Sequence, residues 1–264
     1  MLPTFQILNL HFTGYTIMAI IGIFVSGIYC MKRAKKNNLD ENDIIITLLI
    51  AALGVTIGGH LLYAITNIES IGILLSNLNK VDSIKKLLDC LGFIFGGSVF
   101  YGGLIGGLIA THIYIKHKKY DERKFLQLFT PAIPLFHFFG RIGCFLGGCC
   151  FGIESKFGFV MHHSLIKQAN EVRRFPVQLV EAACNLIIFI ILHKLSKNKK
   201  YQDYLLPIYL IVYPIVRFSL EFLRGDSYRG FLFGLSTSQI VSIILFTISI
   251  IYLIINKKKK ATSK

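Results

Sequence analysis

The 264-residue chain is 53% hydrophobic and 16% charged, with a formal net charge of +15 and a mean hydropathy of +0.60. This is too apolar for an ordinary soluble domain, and the apolar residues gather into runs of ~20, the length a helix needs to cross a hydrocarbon core. The positive charge does not point to nucleic acid, because the basic residues sit in short clusters between those runs.

In chain order, the runs predict seven transmembrane helices, at about 13–31, 43–66, 91–115, 125–143, 176–193, 203–223 and 235–255. Each can satisfy its own backbone hydrogen bonds, as the bilayer interior requires. The expected fold class is an all-α integral membrane protein, one polytopic domain over 1–264. No basic stretch precedes the first run, and Lys32-Arg33-Ala34-Lys35-Lys36 follows it, so it reads as a retained anchor rather than a cleaved leader. After the second run, segment 67–90 places Ile71, Leu74, Leu75, Leu78, Val81, Ile84 and Leu88 near helical spacing, with Lys80, Lys85 and Lys86 among them. It suits either a helix in the membrane interface or a solvated helix packed on the bundle. In the third run, the pairs Gly96-Gly97, Gly102-Gly103 and Gly106-Gly107 would let another helix backbone or a lipid headgroup approach closely. Segment 144–175, long, glycine-rich and basic, is a candidate lid or substrate-contacting arm.

Four connecting segments, Lys32–Lys36, Lys116–Lys124, Lys194–Lys200 and Lys257–Lys264, hold 18 of the 29 Lys and Arg residues. With seven spans all four fall on one side, which the positive-inside rule makes the cytoplasm. The N-terminus is then outside and the C-terminus inside, with 67–90 and 144–175 as outer arms.

An ionisable residue in a span is a functional hypothesis by default. Arg141 lies near the outer end of the fourth span, and Arg217 and Glu221 share a face of the sixth, with Arg224 one turn on. Gln178 and Glu181 share a face of the fifth, near its outer end. Three arginines against two carboxylates leave a positive excess that fits an anionic headgroup, whose phosphate a guanidinium grips with a two-pronged fork. His137, one turn before Arg141, is a candidate for proton transfer or a packing residue. His60 reads as structural, and His162 and His163 take no assignment.

None of the six cysteines, Cys30, Cys90, Cys144, Cys149, Cys150 and Cys184, is read as a metal ligand. Zinc sites pair ligands two to four residues apart on two separate arms, whereas here one cluster contains two adjacent cysteines ill suited to chelate. Cys144, Cys149 and Cys150 read instead as small residues in a glycine-rich turn. No cofactor is expected.

These residues resemble the prolipoprotein diacylglyceryl transferase family. Gly140-Arg141-Ile142-Gly143-Cys144-Phe145-Leu146-Gly147-Gly148 is similar to the family's G-R-x-G-N-F-x-N-G-E signature. Tyr101-Gly102-Gly103-Leu104-Ile105-Gly106 resembles H-G-G-L-x-G, and Arg174-Phe175-Pro176-Val177-Gln178-Leu179-Val180-Glu181 resembles R-x-P-x-Q-L-x-E. Arg217-Phe218-Ser219-Leu220-Glu221-Phe222-Leu223-Arg224 resembles R-F-x-x-E-x-x-R, and Tyr15 is similar to a site tyrosine of the family.

The resemblance implies a bacterial cytoplasmic-membrane enzyme that moves the diacylglyceryl group of phosphatidylglycerol onto the lipobox cysteine of a preprolipoprotein signal peptide. A thioether forms and glycerol phosphate leaves. It implies Arg141, Arg217 and Glu221 as catalytic, and Tyr15, Gly102, Gly103, Gly140, Gly143, Gln178, Glu181 and Arg224 as substrate-binding. Three positions depart from the family motifs: Tyr101 replaces a histidine, Cys144 an asparagine and Cys149 a glutamate. Tyrosine, with a pKa near ~10, is a poor base at neutral pH, so His137 is expected to carry the proton while Tyr101 hydrogen-bonds substrate. Competing readings are a transporter or flippase for an anionic lipid or small anion, a related lipid transferase with another acceptor, and a thiol oxidoreductase using Cys149 and Cys150. Cys149→Ser would abolish only the last of these.

Overall fold

The computed structural model describes residues 4–7, 10–37, 39–66, 68, 71–72, 76, 83–96, 100–162, 164, 166–226, 231–232 and 234–262. They divide into two compact units, one of residues 1–33 with 123–264 and one of residues 34–122.

The first unit opens with the antiparallel pair β1 (Thr4–Ile7) and β2 (Leu10–Thr13), followed by α1 (Gly14–Ala34). The Thr13 hydroxyl accepts from the Thr16 amide at 3.1 Å, covering one of the donors a helix start leaves without a partner. After α2 (Glu41–Thr66), α3 (Ile84–Phe95) and α4 (Phe100–His117) in the second unit come α5 (Glu122–Phe129) and α6 (Ala132–Gly147). Pro131, which has no N–H to continue a ladder, marks the joint between these two helices. The strands β3 (Glu154–Val160) and β4 (Arg173–Arg174) then form an antiparallel pair. α7 (Val177–Leu195) and α8 (Leu205–Glu221) follow, then the pair β5 (Phe231–Leu232) and β6 (Leu235–Ser236), and α9 (Thr237–Thr262). Ser236 and Gln239 cap α9 reciprocally: the Ser236 amide donates to the Gln239 side chain at 2.9 Å, and the Gln239 amide to the Ser236 hydroxyl at 3.2 Å.

Among the described residues six helical segments are long and apolar enough to cross a membrane: Gly14–Asn37, Glu41–Ile65, Glu122–Gly147, Val177–Leu195, Gln202–Glu221 and Thr237–Ile255. The protein is thus a mostly helical, multi-pass membrane protein. The third expected run is divided between α3 and α4, with residues 97–99 outside those described. α3 is short, and four glycines together with His112, Lys116 and His117 dilute the apolar character of α4. Half of segment 67–90 also lies outside the described residues; its last part is the start of α3, which Ser83 caps.

In the second unit α2 packs along α4 through glycines. A Cβ added at Gly58 would meet the carbonyl oxygen of Gly102, and one at Gly102 that of Gly58; Gly54 and Gly106 stand in the same reciprocal relation. Gly103 faces Val55. What Gly102 and Gly103 approach is therefore a neighbouring helix, the first of the two options their spacing left open. His60 contributes here too, with Nδ1 at 2.6 Å from the Phe95 carbonyl.

In the first unit, α7 packs between α6 and α8, and α8 against α9. Ile188, Leu192, Leu205 and Tyr209 form the apolar core where α7 turns into α8. Arg33 donates to the Tyr29 hydroxyl and to the Ser196 hydroxyl, each at 2.7 Å, so the basic ends of α1 and α7 lie together. The opposite end, where α6 and α8 finish and α7 begins, carries the buried polar groups.

Candidate active site

Three ion pairs occupy that end. Arg141 of α6 reaches across to Glu181 of α7, with Nη2 at 3.0 Å from Oε1. Arg217 pairs with Glu221 one turn along α8 at 2.6 Å, as their spacing predicts. Arg224 pairs with Asp226 through two contacts, Nε to Oδ1 at 2.8 Å and Nη2 to Oδ2 at 2.5 Å. The Glu181 and Glu221 side chains are 2% and 3% exposed, and each is paired with an arginine, without which burial of a carboxylate charge would be costly.

Two sequence expectations need correction here. Arg224 does not extend the Arg217–Glu221 helix face, because α8 ends at Glu221 and the chain turns there. Nor do three arginines face only two carboxylates. Asp226, two residues beyond Arg224 and outside any helical spacing, brings the buried set to three against three. The anion-binding capacity therefore lies in donor atoms rather than in surplus charge. Among the described residues, Arg141 Nε and Arg217 Nη1 are buried without a hydrogen-bond partner, and Arg217 Nη2 donates to the Ser238 hydroxyl of α9 at 2.9 Å.

The polar face of α7 backs this cluster. Gln178, Glu181 and Asn185 are at most 1% exposed and lie three and four residues apart on one face. Gln178 Nε2 donates to the Cys149 carbonyl at 2.9 Å, and Asn185 Nδ2 to the Glu181 carbonyl at 2.9 Å. His137 of α6 is half-buried with its ring 5.2 Å from that of Tyr213. Arg141 and Arg217 both act on it electrostatically. Tyr213, on which Arg141 and Arg217 also act electrostatically, has no signal of its own in the sequence beyond standing four residues before Arg217 and so on the same face.

Gly143 and Gly147 leave room for Tyr15: a Cβ on Gly143 would lie 3.2 Å from the Tyr15 Cα, and one on Gly147 3.7 Å from its Cβ. A Cβ on Gly140 would meet nothing within 4 Å. Tyr101, Gly102 and Gly103 belong to the second unit, and the Tyr101 side chain lies outside the described residues, as does His163. His162 is exposed, with Nδ1 at 3.0 Å from a Glu171 carboxylate oxygen.

Segment 144–175 is tied to the end of α8 by backbone bonds. The Ile153 amide donates to the Leu223 carbonyl and the Gly225 amide to the Phe151 carbonyl, and within the segment the Phe175 amide donates to the Ile153 carbonyl, each at 3.0 Å. Buried Arg174 lies over the Phe151 ring at 4.4 Å and donates to the carbonyls of Gly152 and Gln168. Here Arg174 is a fastener for the arm.

The three clustered cysteines also differ from expectation. Gly148, with φ 71° in the left-handed region that glycine tolerates, closes α6. The Gly148 amide donates to the Phe145 carbonyl and the Cys149 amide to the Cys144 carbonyl. Cys150 follows with φ 57°. The chain doubles back, and the sulfurs of Cys144, Cys149 and Cys150 all come within 4.8 Å of one another. Adjacency along the chain had argued against such a group; the turn creates it. Hydrogen bonds with Cys144 and Cys149, supported by Arg224 and Arg141 and opposed by burial, push the Cys150 thiol below the ordinary thiol range.

Known proteins resemble the chain over nearly its full length. The profile of the prolipoprotein diacylglyceryl transferase family matches residues 3–255. The chain is 34% identical over 258 residues to the phosphatidylglycerol–prolipoprotein diacylglyceryl transferase of Clostridium tetani, covering 97% of this chain and 98% of that protein. It is 29% identical over 257 residues to such a transferase, numbered 2, of Clostridium perfringens, covering 96% and 94%. To the Streptococcus uberis enzyme it is 30% identical over 250 residues, covering 93% and 91%.

Proposed function

This chain belongs to the prolipoprotein diacylglyceryl transferase family, and we infer that it transfers the diacylglyceryl group of phosphatidylglycerol to the lipobox cysteine thiol of a preprolipoprotein signal peptide. A thioether forms and glycerol phosphate leaves. The observation that carries this reading is the pair of buried guanidinium groups, Arg141 and Arg217, each with a nitrogen that has no hydrogen-bond partner among the described residues. Such donors in a low-dielectric site stabilise the charge that develops on a departing phosphate.

Arg141 and Arg217 hold the phosphate; Glu181 and Glu221 fix their orientation. Tyr15, Gly140, Gly143, Gln178 and Arg224 shape the surrounding wall, and Arg224 is held by Asp226. His137 carries the proton that the acceptor thiol must lose, and Tyr101 hydrogen-bonds substrate. Gly102 and Gly103 act through the α2–α4 contact.

The enzyme sits in the bacterial cytoplasmic membrane with its N-terminus outside. α4 serves as the seventh crossing: its 18 residues span about 27 Å as a helix, and it runs against the spanning helix α2. With seven crossings the four basic clusters share the cytoplasmic side.

The direct test incubates the purified protein with labelled phosphatidylglycerol and a lipobox peptide. A thioether-linked product is expected, and its absence beside an active transferase control would exclude the reading. His137→Ala is expected to lower kcat by about 10²-fold or more, the usual contribution of a positioned proton carrier, with thermal stability nearly unchanged. Full activity in that variant would remove His137 from the chemistry.

A further inference from the structure

Cys144, Cys149 and Cys150 present three sulfurs within 4.8 Å of one another at the end of α6. Sulfurs sharing one zinc ion at about 2.3 Å lie roughly 3.8 Å apart in tetrahedral geometry. Small side-chain rotations would bring these three to that spacing. All six cysteines of the chain are free thiols. Among the described residues no fourth His, Cys, Asp or Glu joins the group, and Cys149 and Cys150 are only half-buried. Three protein ligands and one accessible side is the ligand count of catalytic zinc sites; structural sites close with four.

We propose that Cys144, Cys149 and Cys150 bind one zinc ion as thiolates, and that the fourth position takes the thiol of the acceptor cysteine. This rests on the transferase reading above for its second half only; the metal site stands on the cluster itself. Arg141 is one turn before Cys144, and it bears on Cys150 together with Arg224, so cations flank the anionic zinc–thiolate group. Tyr15 of α1 also faces the cluster. Two of the three ligands, Cys144 and Cys149, stand where the signature quoted above carries other residue types.

The step balances. The acceptor thiol coordinates and loses its proton, the one His137 carries. The zinc-held sulfur then attacks the glyceryl carbon, forming C–S as C–O breaks. The bonding pair leaves with the glycerol phosphate, and the neutral thioether, a weak ligand, departs from the metal. A free thiol with pKa near ~8.5 is only about 3% thiolate at pH 7, whereas a metal-bound one is fully ionised.

The test uses the full-length protein in detergent. One zinc per chain is expected by elemental analysis, and cobalt substitution should give thiolate-to-metal charge-transfer absorption. Both should vanish in Cys149→Ser and survive in Cys184→Ser, a thiol of α7 outside the cluster. Trace zinc in the wild type, equal zinc in Cys149→Ser, or a disulfide within the cluster would overturn the site. If the serine variant does not fold, a cobalt titration of the wild type that yields no thiolate band overturns it equally.

For the acceptor half, stripping the metal should slow transfer about 30-fold at pH 7, the ratio of thiolate fractions, and less than about twofold at pH 9. Zinc should restore the rate. Bound zinc whose removal leaves the rate unchanged would overturn that half. One zinc per chain with no product under any condition would instead overturn the transferase reading and leave the site intact.

Discussion

Replacing Arg141 with alanine is expected to reduce thioether formation by about 10² to 10³-fold and to destabilise the protein at the same time. The rate loss follows from removing a preorganised donor at the phosphate. The stability loss follows from Glu181, which is 1% exposed as a residue and would be left as an uncompensated buried charge; breaking such a pair costs about 3–5 kcal/mol. Two further variants separate these effects. Arg141→Lys keeps a charge near Glu181 but not the planar fork, so it should recover most of the thermal stability and little of the rate. Arg141→Met with Glu181→Leu removes the pair without an orphan, and should melt close to the wild type while remaining inactive. Activity in the Met–Leu protein would remove Arg141 from the chemistry.

The second large effect concerns the glycine contact. Gly102→Val should prevent α2 and α4 from closing, because the added Cβ meets the Gly58 carbonyl, a backbone atom unable to rotate away. A cost above the usual ~1–3 kcal/mol of overpacking is expected, read as lost folded protein in detergent. Gly92→Ala on α3 is the control: a Cβ there meets nothing within 4 Å, and alanine is the better helix former by about 1 kcal/mol. A Gly102→Val protein that folds normally but does not bind lipid would return Gly102 to the substrate site.

Much of this was legible before any coordinates. Runs of twenty apolar residues are a signal of composition, and six of the seven reappear as spanning helices with ends displaced by a few residues in most cases. Arg217 and Glu221 were legible because four residues is a helix turn. Arg141 with Glu181, Arg224 with Asp226, and Tyr213 beside His137 were not, because pairings between helices or past a helix end leave no periodic trace. The sulfur cluster needed something finer still. It depends on two departures from helical geometry, at Gly148 and Cys150, and no spacing rule for metal ligands anticipates adjacent residues brought back over a helix end.

The arm that crosses this end is held by main-chain atoms: Ile153 to Leu223, Gly225 to Phe151, Phe175 to Ile153. Those bonds are indifferent to which side chains the positions carry, so substitutions there can alter what lipid chains meet without loosening the clasp. Proline is the exception, since it removes the donor. The ends of α6 and α8 are therefore a sewn seam, closed by main chain whatever side chains lie along it.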